Sequence, residues 1–227
     1  MADFETGFVT QLTERSIDLM DRRSISAEQK DAFRAILDKV SVMDEKAGSK
    51  DILSSLVADE IALLSKIHGL AETAVVENLD TEGAYNLLQQ PGSYADLNND
   101  GFLRVGKALT WTFPPPNAPE NVKDAWAELT AGMTEMESML SMAPFMAIEA
   151  AANIKYDAYG TPVGITGPGE PGYRNIYSEA GFSYKGLVQQ CLDNLEIGRS
   201  YMSLEQYNKK HEMLENFLAL LDRHGVA

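Results

Sequence analysis

The chain has one cysteine, Cys191, so no internal disulfide framework can hold it together. No apolar run approaches the eighteen or so residues that a membrane-spanning helix needs. The N-terminal stretch MADFETGFVTQLTERSIDLMDRR carries acids where a secretory leader carries a basic segment and an apolar run. The expectation is a soluble, cytoplasmic chain without a Sec-type signal, with non-classical export or incorporation into a particle left open. Basic residues are also scarce, 19 Lys and Arg against 34 Asp and Glu, which leaves a net charge of -15. That excess repels phosphate backbones and anionic lipid, which argues against nucleic-acid and membrane partners. It suits cations, basic protein surfaces, or solubility in a salty medium. The three histidines, His68, His211 and His224, stand far apart. No HExxH, paired Glu-x-x-His or GxSxG pattern accompanies them, so the chain is not expected to be an enzyme.

What is present is enough apolar surface to fold: 44% of the 227 residues are hydrophobic and 8% aromatic, which excludes global disorder. Helical periodicity dominates. Residues 3–22 carry Phe4, Phe8, Leu12 and Leu19, and residues 27–44 carry Phe33, Ile36, Leu37, Val40 and Met43 on one helical face. The short link between them predicts an αα-hairpin. The C-terminus repeats the pattern, with helices expected near 179–197 and 204–223. Each pair is joined by a Ser-x-Glu-Gln segment that reads as a capping box, Ser26 with Gln29 and Ser203 with Gln206. Cys191 falls in the apolar series Leu187, Val188, Cys191, Leu195, which marks a core thiol rather than a nucleophile.

Between these pairs, a helix opened by Ser49 runs towards Gly69 and a short one covers 81–90. Pro114, Pro115 and Pro116 lie in an extended connector, and Pro119 opens a further helix. Val122, Trp126, Leu129, Met133, Met136 and Leu140 follow at alternating intervals of four and three, the spacing of a coiled-coil seam, with Pro144 expected to kink or end it. Residues 156–176 are too rich in Gly and Pro for a helix and form the longest loop, with room for a small hairpin. The fold expected is all-α: a single helical domain over 1–227, built as a multi-helix bundle with terminal αα-hairpins, a coiled-coil-like central helix and one irregular loop over 96–107.

Met133, Met136, Met139 and Met142 share a Met-x-x-Met spacing, continued by Met146 four residues on, that would suit a soft metal such as Cu(I). Packing or an adaptable partner surface is the stronger reading, because thioethers fill irregular apolar gaps. The loop Gly160–Gly172 lacks the Lys and Ser/Thr of a phosphate-binding loop.

The sharpest chemical clue is DLNNDGFLRVGK, Asp96 to Lys107. Asp96, Asn98 and Asp100 stand at positions 1, 3 and 5, Gly101 at 6, and the Phe102 carbonyl at 7. This stretch resembles EF-hand and dockerin-type calcium loops, in which oxygens at those positions surround a hard cation and Gly at 6 makes the sharp turn. The resemblance covers residues 96–107 only. It implies calcium as the ion and Asp96, Asn98, Asp100 and Phe102 as the ligands. Arg104 at position 9 and Lys107 at position 12 depart from it, where an acceptor and a bidentate Glu belong, so the shell needs a carboxylate from elsewhere or water. A plain Asx-stabilised turn is the competing reading. The functional expectation is a calcium-binding helical protein with one weak, structural site. The alternative is a metal-free helical assembly protein in a larger complex, with a protein partner or self-association through its Met-rich seam and its tyrosine loop.

Overall fold

In the computed structural model the described residues are 10–43 and 48–227. Phe4 and Phe8 of the first expected helix, and Asp44 at the end of the second, lie outside them. Among the described residues the helices are α1 Glu14–Arg22, α2 Ala27–Ser41, α3 Ser49–Ser54, α4 Ala58–Ile67, α5 Thr81–Leu87, α6 Glu120–Thr130, α7 Glu135–Ala152, α8 Tyr184–Ile197 and α9 Leu204–Arg223. None is long and apolar enough to cross a membrane. Local chemistry explains their starts. Thr13 caps α1 by accepting from the Ser16 N–H, and the capping boxes at Ser26 and Gln29 and at Ser203 and Gln206 open α2 and α9.

The all-α expectation is overturned. Strands β1 Phe102–Val105 and β2 Ala108–Trp111 pair in one two-stranded sheet, and β3 Ile154–Tyr156 pairs antiparallel with β4 Pro162–Ile165 in another. The first hairpin turns at Gly106, whose φ of +59° suits a residue without a side chain. In the second, the Asp157 carboxylate accepts from the Tyr159 and Thr161 N–H groups and so builds the turn.

The coiled-coil-like central helix is likewise corrected. Helix α6 ends at Thr130, and α7 begins afresh after Thr134, whose hydroxyl and the Glu137 carboxylate form a third capping box. Val122 and Trp126 are buried, while Met136 and Leu140 are 60% and 61% exposed, so the expected seam does not continue across the break. Pro144 sits inside α7 rather than ending it.

The chain divides into two compact units. The first runs to Asn98 and takes in Phe102–Thr110; the second comprises Asn99–Gly101 and 111–227. The core of the first is built from Phe33, Leu37, Leu53, Leu64, Ile67 and Leu87, with α3 against α5, α2 against α4, and α5 against β1. In the second, α6 and α8 pack on α9 and α7 on α8, around Phe113, Trp126, Phe145 and Phe217.

The contact of α5 with the β1–β2 turn depends on a missing side chain. The Gly106 N–H donates to the Gly83 carbonyl at 3.0 Å, and a Cβ on Gly83 would lie 2.1 Å from the Gly106 carbonyl oxygen. Alanine is the better helix former by about 1 kcal/mol. The clash is with backbone, however, and overpacking of this kind costs about 1–3 kcal/mol. Gly83→Ala is therefore expected to lower the melting temperature despite its helix propensity; a variant that melts higher would show that the turn does not press on the helix.

Candidate functional site

The loop that carries Asp96 to Gly101 is held at both ends by one short helix. Asp80 caps α5 by accepting from the Gly83 N–H, which fixes the register of the helix. Glu82 and Asn86, four residues apart and hence on one helical face, then both point at the loop. The Glu82 carboxylate accepts from the Leu97 N–H at 3.1 Å and the Arg104 N–H at 2.8 Å. The Asn86 amide donates to the carbonyls of Ala95 and Arg104, each at 2.8 Å, while its oxygen accepts from the Ala95 N–H at 2.9 Å. Residues before and after the turn are thus tied to the same two side chains.

Burial makes the clamp strong. Glu82 is 3% exposed and Asn86 fully buried, so each hydrogen bond offsets a desolvated group. Burial raises the Glu82 carboxyl above the usual carboxylate range; the Arg104 and Leu97 N–H groups and the Arg104 guanidinium oppose this, while the charge of Asp96 adds to it. Arg104, which stands at position 9 of the loop, serves the structure, with its Nε 3.2 Å from Asp80 and its guanidinium 3.9 Å from Glu82. It is turned towards α5.

Inside the loop, Gly101 has φ +87° and Asn99 φ +56°. The first is what a sharp turn at position 6 demands, and asparagine is among the few side-chain residues that tolerate the second. Asp96 is 4% exposed, Asn98 exposed and Asp100 half-buried. Asp96, Asn98 and Phe102 belong to the first unit, and Asp100 to the second. Within the second unit, the Asp100 carbonyl accepts from the Tyr173 hydroxyl at 2.8 Å, and the Asn99 carbonyl accepts from the Asn175 amide at 2.7 Å. Close by, the buried Glu149 accepts from Trp111 Nε1 at 2.6 Å and lies 3.1 Å from the same Tyr173 hydroxyl. Its carboxyl is raised by burial, and the Asp100 charge contributes in the same direction.

Lys107 is exposed and lies in the turn between β1 and β2. The twelfth position of the resemblance is thus a hairpin tip, and the element leaving the loop is a strand where an EF-hand has a helix. Among the described residues no group of three or more His, Cys, Asp or Glu side chains is placed to hold a metal ion. No protein-family model, curated protein or solved structure matches the chain. The resemblance to calcium loops rests on the Asp96–Phe102 residues themselves.

Glu82, Asn86 and Glu149 are absent from the ligand set expected from sequence. The only local signal for the first two was an acid and an amide four apart in a seven-residue helix. Their partners lie nine to 22 residues away, where no short motif reaches. Cys191 is 3% exposed and its thiol is pushed up to about 12 by burial, the state of a core thiol.

Proposed function

We propose that the chain binds one calcium ion weakly in the Asp96–Phe102 loop, and that the ion serves the loop's structure rather than a signal. The observation that carries this reading is the turn itself, which sets Asp96, Asn98 and Asp100 at alternate positions before Gly101 in the left-handed region, the arrangement of calcium loops of the EF-hand type. Glu82 and Asn86 hold the chain on either side of it. The donors are hard oxygens, the Asp96 and Asp100 carboxylates, the Asn98 amide oxygen and the Phe102 carbonyl, with water supplying the rest of a shell of about seven. With fewer charged ligands than an EF-hand, the affinity falls in the weak range of extracellular modules, roughly 0.1–1 mM. A site of that strength fills in calcium-rich surroundings.

The test is calorimetric titration of calcium into chelator-treated protein, with a melting scan alongside. Ligand that binds only the native state raises stability by about 2.7 kcal/mol at a hundredfold excess over Kd, so the melting temperature rises. Asp100→Ala abolishes the response. Lys107→Glu leaves the affinity within about twofold, because the residue sits at a hairpin tip and not at the end of a coordination sphere. No shift at about 10 mM calcium, well above the expected Kd, would leave the loop as an Asx-rich turn held by its clamp. A second reading, a metal-free assembly subunit, draws on the exposed apolar face of α7.

A further inference from the structure

Helix α7 is apolar on the side turned to solvent as well as on the side turned to the core. From Ser138 to Asn153 its one charged residue is Glu149, which is buried. Phe145 and Ile148 face inward, whereas Met136, Met139, Leu140 and Met146 are 60%, 53%, 61% and 48% exposed, and Ala143 and Ala147 are exposed among them. Met136, Leu140, Ala143 and Ala147 are spaced four, three and four, so a heptad seam does exist in this region, displaced onto the solvent side of α7. Monomeric proteins seldom leave such a patch uncovered.

We infer that α7 pairs antiparallel with α7 of a second copy of this chain about a two-fold axis. Two features select this occupant. The bulk along the seam is graded, large at Met136 and Leu140 and small at Ala143 and Ala147. Antiparallel pairing sets Leu140 against the partner's Ala143 and Met136 against the partner's Ala147, so every layer fits a large side chain into the space left by a small one. Parallel pairing would stack large on large and leave the alanine layers loose. The seam is also unusually poor in charge. Flanking positions that normally select a different partner by charge hold Met139, Met146 and Pro144, and the one flanking acid, Glu137, is engaged with Thr134 and Lys209. A chain of net charge -15 can meet its own copy on such a face without setting acid against acid at close range, and salt screens the remainder within about 10 Å. Each layer is repeated by the symmetry, which is how a short seam becomes an isologous interface.

The experiment is sedimentation of the full chain together with cysteine cross-linking; the native Cys191 is buried and does not interfere. Wild type is expected at twice the 24.9 kDa chain mass. The measurement is made at about 100 µM, a concentration that saturates a micromolar dimer. Leu140→Glu, at an exposed position, should be monomeric with its helical signal intact. Under oxidation the Met136→Cys/Ala147→Cys double variant should form covalent dimers, and so should a mixture of the two single variants. Neither single variant alone should, because two copies of residue 136 then lie eleven residues apart along the pair, about 16 Å. Monomeric wild type would overturn the proposal and give the face to another occupant. Dimers that survive Leu140→Glu, single variants that cross-link with themselves, or a double variant that does not cross-link would each overturn it as well.

Discussion

Replacing Phe145 with alanine should remove about 3–5 kcal/mol of stability, the cost of emptying a fully buried aromatic site. The ring is 0% exposed and stacked on Phe113, with centroids 3.8 Å apart and planes 1° from parallel; Trp126 and Phe217 meet it edge-on at 5.7 and 5.9 Å. Edge-to-face pairs of this kind add to the area term, because the positive rim of one ring meets the negative face of another. Loss of the side chain leaves three aromatic neighbours lining a void that none of them can fill without breaking its other contacts. Both tryptophans, Trp111 and Trp126, belong to the same unit, so tryptophan emission during urea unfolding reports on it directly. With a urea dependence of about 1–3 kcal/mol per molar, the midpoint should fall by at least about 1 M. A loss under about 1 kcal/mol would mean that the cluster is not packed as described.

The parts of this fold that were legible in the sequence are those fixed by contacts a few residues apart. Helix α9 could be placed because a Ser-x-Glu-Gln box opens it and an apolar face runs its length. In the central helices the same kind of local pattern misleads. A four-three spacing passes uninterrupted from Val122 to Leu140, while Thr134 and Glu137, a capping box in plain view, start a new helix and rotate the later residues to solvent. Periodicity records which residues share a face and is silent on where a face is cut.

The β1–β2 hairpin was hidden by competition between two readings of the same residues, since Phe102 to Lys107 supplied both the end of a calcium loop and a strand with its turn. The candidate site divides along the same line. The Asp96, Asn98, Asp100 and Gly101 spacing is local and readable. The clamp is a product of tertiary packing, because Glu82 and Asn86 acquire their role only when α5 is laid against the chain before and after the loop.

Acidification should destabilise the protein through His68, a residue with no distinguishing mark in the sequence. The imidazole is 6% exposed; Nε2 lies 3.1 Å from the Leu87 carbonyl and Nδ1 2.8 Å from the Tyr94 hydroxyl. A carbonyl only accepts, so Nε2 carries the proton and Nδ1 accepts from Tyr94, which makes the neutral ring a complete fit. Burial pushes its pKa down to about 3, and the Arg23 guanidinium, which donates to the Ile67 carbonyl at 2.6 Å, adds repulsion to a second positive charge.

The unfolded chain takes up that proton near pH 6.5, so between about 6.5 and 3 it binds one proton more than the folded chain. Stability is complete above this window and falls with pH inside it by about 1.4 kcal/mol per unit. By pH 4 the loss is about 3.4 kcal/mol. Glu82 and Glu149 act with the opposite sign, because their raised carboxyls make the folded state bind protons more readily near their own titration. The decisive quantity is therefore the difference between wild type and His68→Gln, measured by urea unfolding at a series of pH values from 7 to 4. That difference should shift against wild type by about 1.4 kcal/mol for each unit of acidification below 6.5. Parallel curves would show that His68 takes up its proton in the folded state and that its burial costs the acidified protein nothing.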